Sequence, residues 1–271
     1  MAEVVCILGM HRSGTSLAAG ILRLMGWHLG PEDKLMGPKR DNPRGFWEYR
    51  PFTDLNDEIL EAFGGTWDLP PAFPPRWERD RRLDDVRDRA RAALEADFGT
   101  ATRWAWKDPR TSLTLPFWRR LLGPMRYVLC VRSPVDVGES LAARDDMAFE
   151  DGVALWRTYV TSALRHTTGG PRSVVFFEDL VEAWPAEVGH LRWFVGERGA
   201  LTEEVAARID EFVAGELRHH ASGDGVTAED PRVPPAVRAM YLTLRAASLA
   251  RRTGDPDAGR LERAADALAG P

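Results

Sequence analysis

Four short apolar runs, rich in β-branched and aromatic residues, recur along the first two thirds of the chain. They are VVCIL at 4–8, RWAW at 103–106, RYVLCV at 126–131 and SVVFF at 173–177. Runs of this length and composition are typical of buried strands. Because segments with helical periodicity separate them, the pattern predicts an α/β fold of three layers, with helices on both faces of a mostly parallel sheet.

The segments between these runs repeat their apolar residues with the period of a helix. In TSLAAGILRLMG at 15–26, an apolar stripe is formed by Leu17, Ile21, Leu22 and Met25, and Gly26 supplies a stop. Two more helices are predicted from apolar positions at similar spacing: Val86, Ala90 and Leu94, and then Val153, Trp156, Val160 and Ala163.

Two stretches depart from this alternation. TWDLPPAFPPRW at 66–77 is rich in proline and aromatic residues, and it is either a stiff surface connection or a lid that lines a substrate. Further on, the chain is alanine-rich and helical, with a breaker, ASGDG, at 221–225. We expect a single domain over 1–271, in which 1–220 form the α/β core and 221–271 a helical C-terminal segment.

Composition and charge restrict the classes of function. The formal net charge is -5, so affinity for a polyanion must come from a local cluster of Arg and Lys, and we expect no nucleic-acid partner. Cys6 and Cys130 lie inside apolar runs and outside any C-x-x-C pair, which favours buried free thiols over a disulfide or metal site. No leader and no apolar stretch of membrane-spanning length is recognised, so we expect a cytoplasmic protein without a membrane partner.

The loop GMHRSGTS at 9–16 joins the first predicted strand to the first predicted helix. Backbone N–H groups and the positive end of a helix dipole meet at such a loop, so it predicts an anion site. The loop keeps both glycines of the ATP-binding pattern G-x-x-x-x-G-K-[ST], but Thr15 replaces the lysine and Arg12 is gained. The alternative is an ordinary turn in which Ser13 caps the helix. The candidate anion-binding residues are Gly9, His11, Arg12, Ser13, Gly14, Thr15 and Ser16.

GMHRSGTS resembles the 5′-phosphosulfate loop of sulfotransferases that use 3′-phosphoadenosine 5′-phosphosulfate (PAPS), whose loops read [KR]-S-G-[ST]-[ST] after a strand. Arg12 then stands at the position of the family's basic residue. The segment VLCVRSPVDVGESL at 128–141 is similar to the family's 3′-phosphate site, where an Arg ends a strand and a Ser follows eight residues later. The resemblance assigns this site to Arg132 and Ser140, although either residue alone could be a surface cation or a neutral helix residue. Ser133 and Pro134 stand where a helix cap and a first turn are expected.

A third similarity is FFEDLVEAWP at 176–185, which we interpret as structural, with Asp179 as a helix cap. The resemblance covers roughly residues 1–185, and the stretches HRSGTS and NPRGFWE place the chain near the bacterial branch of the family. The glycine-rich C-terminal motif of the eukaryotic cytosolic enzymes is not recognised.

The resemblance implies a P-loop-NTPase-like fold with C-terminal helices and a sulfotransferase activity. PAPS would be the sulfuryl donor, adenosine 3′,5′-bisphosphate (PAP) the product nucleotide, and a hydroxyl of a small molecule or glycan the acceptor. No metal is expected, and whether the protein is a homodimer is left open.

Sulfuryl transfer requires in-line positioning, stabilisation of charge on the bridging oxygen, and removal of the acceptor's proton. The candidate cations are Arg12 and Lys107, which ends a strand in WAWKDPR. Lys107 could instead pair with Asp108 on the surface. Arg110 is a candidate for a phosphate contact or for holding an acidic neighbour.

The candidate general base is Glu48 in NPRGFWEY, since apolar surroundings raise the pKa of a carboxyl group. The resemblance also implies a glutamate after the first helix as the base. The alternatives are that Glu48 is solvated or pairs with Arg44, or that His11 is the base. Acidic residues further along, Asp54 and Asp57, are either alternatives or surface charges.

Two other functions remain open at this point. A P-loop kinase would use the same loop, but it would need the missing lysine and a magnesium-binding aspartate at a strand end. A nucleotide-binding module without turnover would share every binding residue, and only an activity measurement separates it from an enzyme.

Overall fold

The computed structural model describes residues 2–38, 45–214 and 224–270, except for the side chains of 224–226. Its central sheet contains four parallel strands in the order β2-β1-β3-β4. The strands are β1 Glu3–Gly9, β2 Arg103–Lys107, β3 Arg126–Val131 and β4 Arg172–Phe176. Each coincides with a predicted apolar run to within one residue at either end, so the prediction of a parallel sheet is confirmed.

The helices of the described residues fill the intervals between the strands and most of the C-terminal part. They are α1 Thr15–Leu24, α2 Arg50–Ala62, α3 Asp84–Phe98, α4 Thr111–Leu122, α5 Pro134–Asp145, α6 Phe149–Thr167, α7 Phe177–Glu182, α8 Trp184–Phe194, α9 Glu203–Val213, α10 Asp224–Glu229, α11 Pro235–Thr253 and α12 Ala258–Leu268. The helices predicted from apolar spacing correspond to α1, α3 and α6.

The helices cover the sheet and make the three-layer α/β arrangement that the sequence predicts. Helix α1 packs on β1 and β2 and against α9, whereas α4 and α6 pack on each other and on β1. The strands are buried on both sides, and the side chains of β1 from Val5 to Leu8 have no exposed surface. This explains why the strands read as continuous apolar runs instead of alternating ones.

The strand register brings the C-terminal ends of the strands, which precede the candidate site residues, to one edge of the sheet. Gly9 of β1 pairs with Cys130 of β3, and Ile7 of β1 pairs with Lys107 of β2. The segments that follow these strands therefore start side by side, as ligand-binding segments of parallel sheets do.

The C-terminal helices pack on the core. Arg251 of α11 donates to the carbonyl oxygen of Val174 in β4 at 2.7 Å, and Arg172 pairs with Asp266 of α12 at 2.6 Å. The predicted boundary between 220 and 221 lies outside the described residues, as does most of the predicted breaker, whose last two residues begin α10.

Cys6 and Cys130 are buried free thiols. Of the helices that the structure describes, none combines the length and the apolar character that a membrane crossing requires.

Candidate active site

The loop between β1 and α1 has the backbone conformation that its glycines allow. Gly14 has φ +83° and starts α1, and a Cβ atom there would lie 2.8 Å from the ring of Phe177. Arg12 also adopts a left-handed conformation, with φ 68°. The alternative in which Ser13 caps the helix is wrong, since the capping residue is Gly14 and no side chain caps it. The Ser13 hydroxyl is buried and finds no hydrogen-bond partner among the described residues.

Gly9 is held by a residue that the sequence analysis did not single out. The Ser112 hydroxyl, in the first turn of α4, accepts from the Gly9 N–H at 3.0 Å and donates to the Gly9 carbonyl at 3.1 Å. Gly9 therefore shapes the start of the loop, while its own N–H is directed to Ser112. No sequence motif marks Ser112, because its role depends on the pairing of β1 with β2.

The residues assigned to the two phosphate sites meet. Arg12 Nε donates to the Ser140 hydroxyl at 2.8 Å, and Arg132 Nη1 lies 3.4 Å from the Arg12 carbonyl oxygen, to which it donates. Arg132 is buried, pairs with Asp136 at 3.3 Å and lies 4.4 Å above the Phe177 ring. Loop, strand end and helix thus converge around two guanidinium groups and a hydroxyl.

The first turn of α5 supports this convergence. Ser133 caps the helix by accepting from the Asp136 N–H at 3.4 Å, with Pro134 in the first turn, as predicted. The Ser133 N–H donates to Glu178 Oε1 at 3.0 Å, and its hydroxyl lies 2.7 Å from that of Thr227.

The two residues predicted to perform the transfer form a buried ion pair. Lys107 Nζ lies 2.6 Å from Glu48 Oε1, and the two side chains are 2% and 6% exposed. Lys107 therefore does not pair with Asp108, which accepts instead from Asn56 at 2.8 Å and from Arg110 at 3.0 Å. Arg44, the other predicted partner of Glu48, lies outside the described residues. The picture of Glu48 as a solvated acid is wrong, because Lys107 neutralises it in a buried position.

Arg110 holds acidic neighbours. Its Nε lies 2.5 Å from Asp57, and its Nη1 lies 3.0 Å from Asp108. Burial raises the pKa of Asp57 from its usual value, and Arg110 opposes this shift. Asp54 is exposed on α2.

His11 and the proline-rich segment lie against each other. The His11 ring is 4.6 Å from that of Trp67 and 5.8 Å from that of Tyr159, and the Tyr159 hydroxyl donates to the Trp67 carbonyl at 2.7 Å. His11 Nε2 is buried without a hydrogen-bond partner in the part of the chain that the structure describes. Burial, reinforced by surrounding cations of which Arg110 is the strongest, lowers the pKa of His11 well below its usual value. His11 is therefore neutral at pH 7. Of segment 66–77, Trp67 contacts the loop, whereas Phe73 and Trp77 stack on each other and contact Phe63 at the end of α2.

Across residues 2–38, 45–214 and 224–270, no three His, Cys, Asp or Glu side chains are grouped as metal ligands would be.

No protein-family model and no curated protein matches the chain. Solved structures that resemble it include two bacterial sulfotransferases. One is the sulfotransferase STF9 from Mycobacterium avium, with a TM-score of 0.51, 14% identity, and coverage of 89% of this chain and 76% of that one. The other is the sulfotransferase domain of the Synechococcus PCC 7002 olefin synthase, with a TM-score of 0.46, 18% identity and coverage of 89% of both chains. At such identity the likeness concerns the fold, and the chain thus shares the fold of the sulfotransferase STF9.

Proposed function

We propose that this protein is a sulfotransferase that moves a sulfuryl group from PAPS to a hydroxyl of a small molecule or glycan. The observation that carries the proposal is the convergence of Arg12, Ser140 and Arg132 at the loop after β1. These residues occupy the positions that the sequence resemblance assigns to the 5′-phosphosulfate and the 3′-phosphate. The fold shared with STF9 supports the same interpretation.

The residues at the loop fit such a donor. The first-turn N–H groups of a helix have no acceptor within the helix, so those at the start of α1 suit an anion. The Ser13 hydroxyl is buried and lacks a partner among the described residues. Arg12 would bind the phosphosulfate, and Arg132 with Ser140 the 3′-phosphate. PAPS, when bound, supplies a sulfuryl group whose leaving group is a phosphate.

The pair of Glu48 and Lys107 would perform the transfer. Glu48 would take the proton of the acceptor hydroxyl, and Lys107 would stabilise negative charge on the oxygen that leaves sulfur. The 2.6 Å contact couples the two roles. When Glu48 becomes neutral its attraction for Lys107 falls, so the ammonium group can turn to the leaving oxygen.

The test is transfer from PAPS that carries a heavy sulfur isotope to a panel of hydroxyl compounds, followed by mass spectrometry. We expect an acceptor to gain one labelled sulfuryl group. Phosphate transfer from ATP with magnesium would instead identify a kinase. Tight binding of PAP without transfer to any of the compounds would favour a nucleotide-binding module.

The base is tested by Glu48→Gln, with the exposed Glu61→Gln of α2 as the matched control. We expect turnover to fall by roughly a hundredfold or more in Glu48→Gln, while PAP still binds. If Glu48→Gln keeps its rate, and His11→Ala is inactive although folded and able to bind PAP, then the base is His11.

A further inference from the structure

Glu178 is a buried acid beside the proposed 3′-phosphate site, and the transfer described above does not use it. It lies in the first turn of α7, directly after β4, and is 4% exposed. Its Oε1 accepts from the Ser133 N–H at 3.0 Å, while its Oε2 is buried and has no partner among the described residues. Its neighbour Phe177 lies under Arg132 and against Gly14. Glu178 therefore joins β4–α7 to the turn that carries Arg132.

The surroundings of Glu178 bring the pKa of its carboxyl group close to neutral pH, so that both the charged and the neutral form are populated. Burial raises the pKa of Glu178 to about 7, against the effect of its backbone hydrogen bonds and of Arg132 and Arg245. Each of these two cations also forms an ion pair with another carboxylate: Arg132 with Asp136 of α5, and Arg245 of α11 with Asp179.

The charged groups farther from Glu178 are also bound to groups of opposite charge or to backbone oxygens. Arg252 of α11 lies 3.1 Å from Asp179 and 2.8 Å from Glu187 of α8. From the loop before α1, the Arg12 carbonyl accepts from Arg132.

We propose that Glu178 is a positioning residue of the donor site and that, in the molecules in which it is still charged, it takes up a proton from solvent when a 3′-phosphate binds at Arg132. This inference rests on the proposed function. As a carboxylate, Glu178 accepts from the Ser133 N–H and is stabilised by the positive charge of Arg132. As a neutral acid it keeps the bond to Ser133 through Oε1 and leaves Arg132 to the phosphate.

The direction of the proton follows from the charges. A phosphate at Arg132 adds negative charge beside Glu178 and offsets part of the positive charge that favours its carboxylate. Both effects favour the protonated acid, so binding of the nucleotide and of the proton reinforce each other. The affinity for PAP should therefore fall as the pH rises above neutrality.

The test is calorimetric titration with PAP near neutral pH in buffers of different ionisation enthalpy, which counts the protons taken up. Wild type is compared with Glu178→Gln, whose amide has the size of the neutral acid, and with Glu182→Gln, an exposed position on the same helix. The phosphate's own protonation contributes equally to all three proteins. We expect wild type and Glu182→Gln to take up about half a proton more per PAP than Glu178→Gln.

Equal proton uptake in wild type and Glu178→Gln overturns the inference, as does a change in Glu182→Gln as large as that in Glu178→Gln. Failure of wild type to bind PAP overturns the proposed function instead. A measurement on wild type alone guards against a variant that does not fold. Infrared difference spectra should show a protonated carboxyl band appearing when PAP binds, and its absence contradicts the proposal.

Discussion

The pairing of Lys107 with Glu48 governs how both side chains behave. Two charges buried at 2.6 Å from each other are costly to separate, because either one alone lacks water. In the proposed reaction, the pair would hold a base and a cation next to each other without net charge.

Removing one member should therefore destabilise the fold more than removing both. We expect Lys107→Met to lower the free energy of unfolding by about 3–5 kcal/mol, and the double variant Lys107→Met with Glu48→Leu to recover most of this loss. Urea denaturation measures both. A single variant that loses only about 1 kcal/mol or less would indicate a solvated pair instead.

The raised pKa of Glu178 leads to a second prediction, which concerns the stability of the protein without nucleotide. This pKa rises on folding from 4.5 to about 7, so the stability that Glu178 contributes is present below pH 4.5 and is lost as the pH rises through 7. The loss amounts to about 3 kcal/mol.

Glu178→Gln should therefore be more stable than wild type above neutral pH and similar to it under acidic conditions. Thermal denaturation across this pH range measures the difference. A variant that is less stable than wild type at high pH would show that the carboxylate, and not the neutral acid, fits the site.

The resemblance to sulfotransferases singled out Arg132 and Ser140 together with the loop, and the parallel sheet explains why residues that follow adjacent strands lie close to one another. Spacing in the sequence could not predict Ser112 or Trp67, which act through contacts between distant segments. The role assigned to Asp179 was wrong for a similar reason. Helix α7 begins at Phe177, and Asp179 binds Arg245 and Arg252 of α11 instead of capping the helix.

The start of α4 connects the loop to the long helix α6. Ser112 holds Gly9 through its hydroxyl, and its carbonyl accepts from His166 Nδ1 near the end of α6 at 3.2 Å. Strand, loop and both helices are thus tied at one point. The strands of this unit were predictable from apolar runs, whereas this tie joins elements that no local pattern relates.

His166 should make the joint between α4 and α6 sensitive to acid. Burial lowers the pKa of His166 from 6.5 to about 4, so its contribution to stability is present above pH 6.5 and is lost as the pH falls through 4. The loss is about 3 kcal/mol, and His166→Gln should flatten the pH dependence in this window. Urea denaturation at several pH values measures the slope. An unchanged slope in the variant would mean that His166 charges freely in the folded protein.

At the scale of the whole molecule, the proposed function implies that fixed side chains would supply the catalytic charge. Arg12 of the loop donates to Ser140, Lys107 at the end of β2 pairs with Glu48, and Thr15 stands where a nucleoside-triphosphate loop has its lysine. We therefore expect sulfuryl transfer to persist in excess chelator. Loss of activity with chelator, followed by recovery with magnesium, would show that a metal supplies this charge.

Nucleotide selectivity tests the central claim most directly, because only PAP offers a 3′-phosphate to Arg132 and Ser140. Thermal unfolding is compared with PAP and with ATP plus magnesium, for wild type, Arg132→Ala and the exposed control Arg120→Ala. PAP at about a hundred times its dissociation constant should stabilise wild type and Arg120→Ala by roughly 2.7 kcal/mol. Arg132→Ala should lose most of this gain, and ATP should add much less in every protein. Equal or greater stabilisation of wild type by ATP with magnesium would contradict the account.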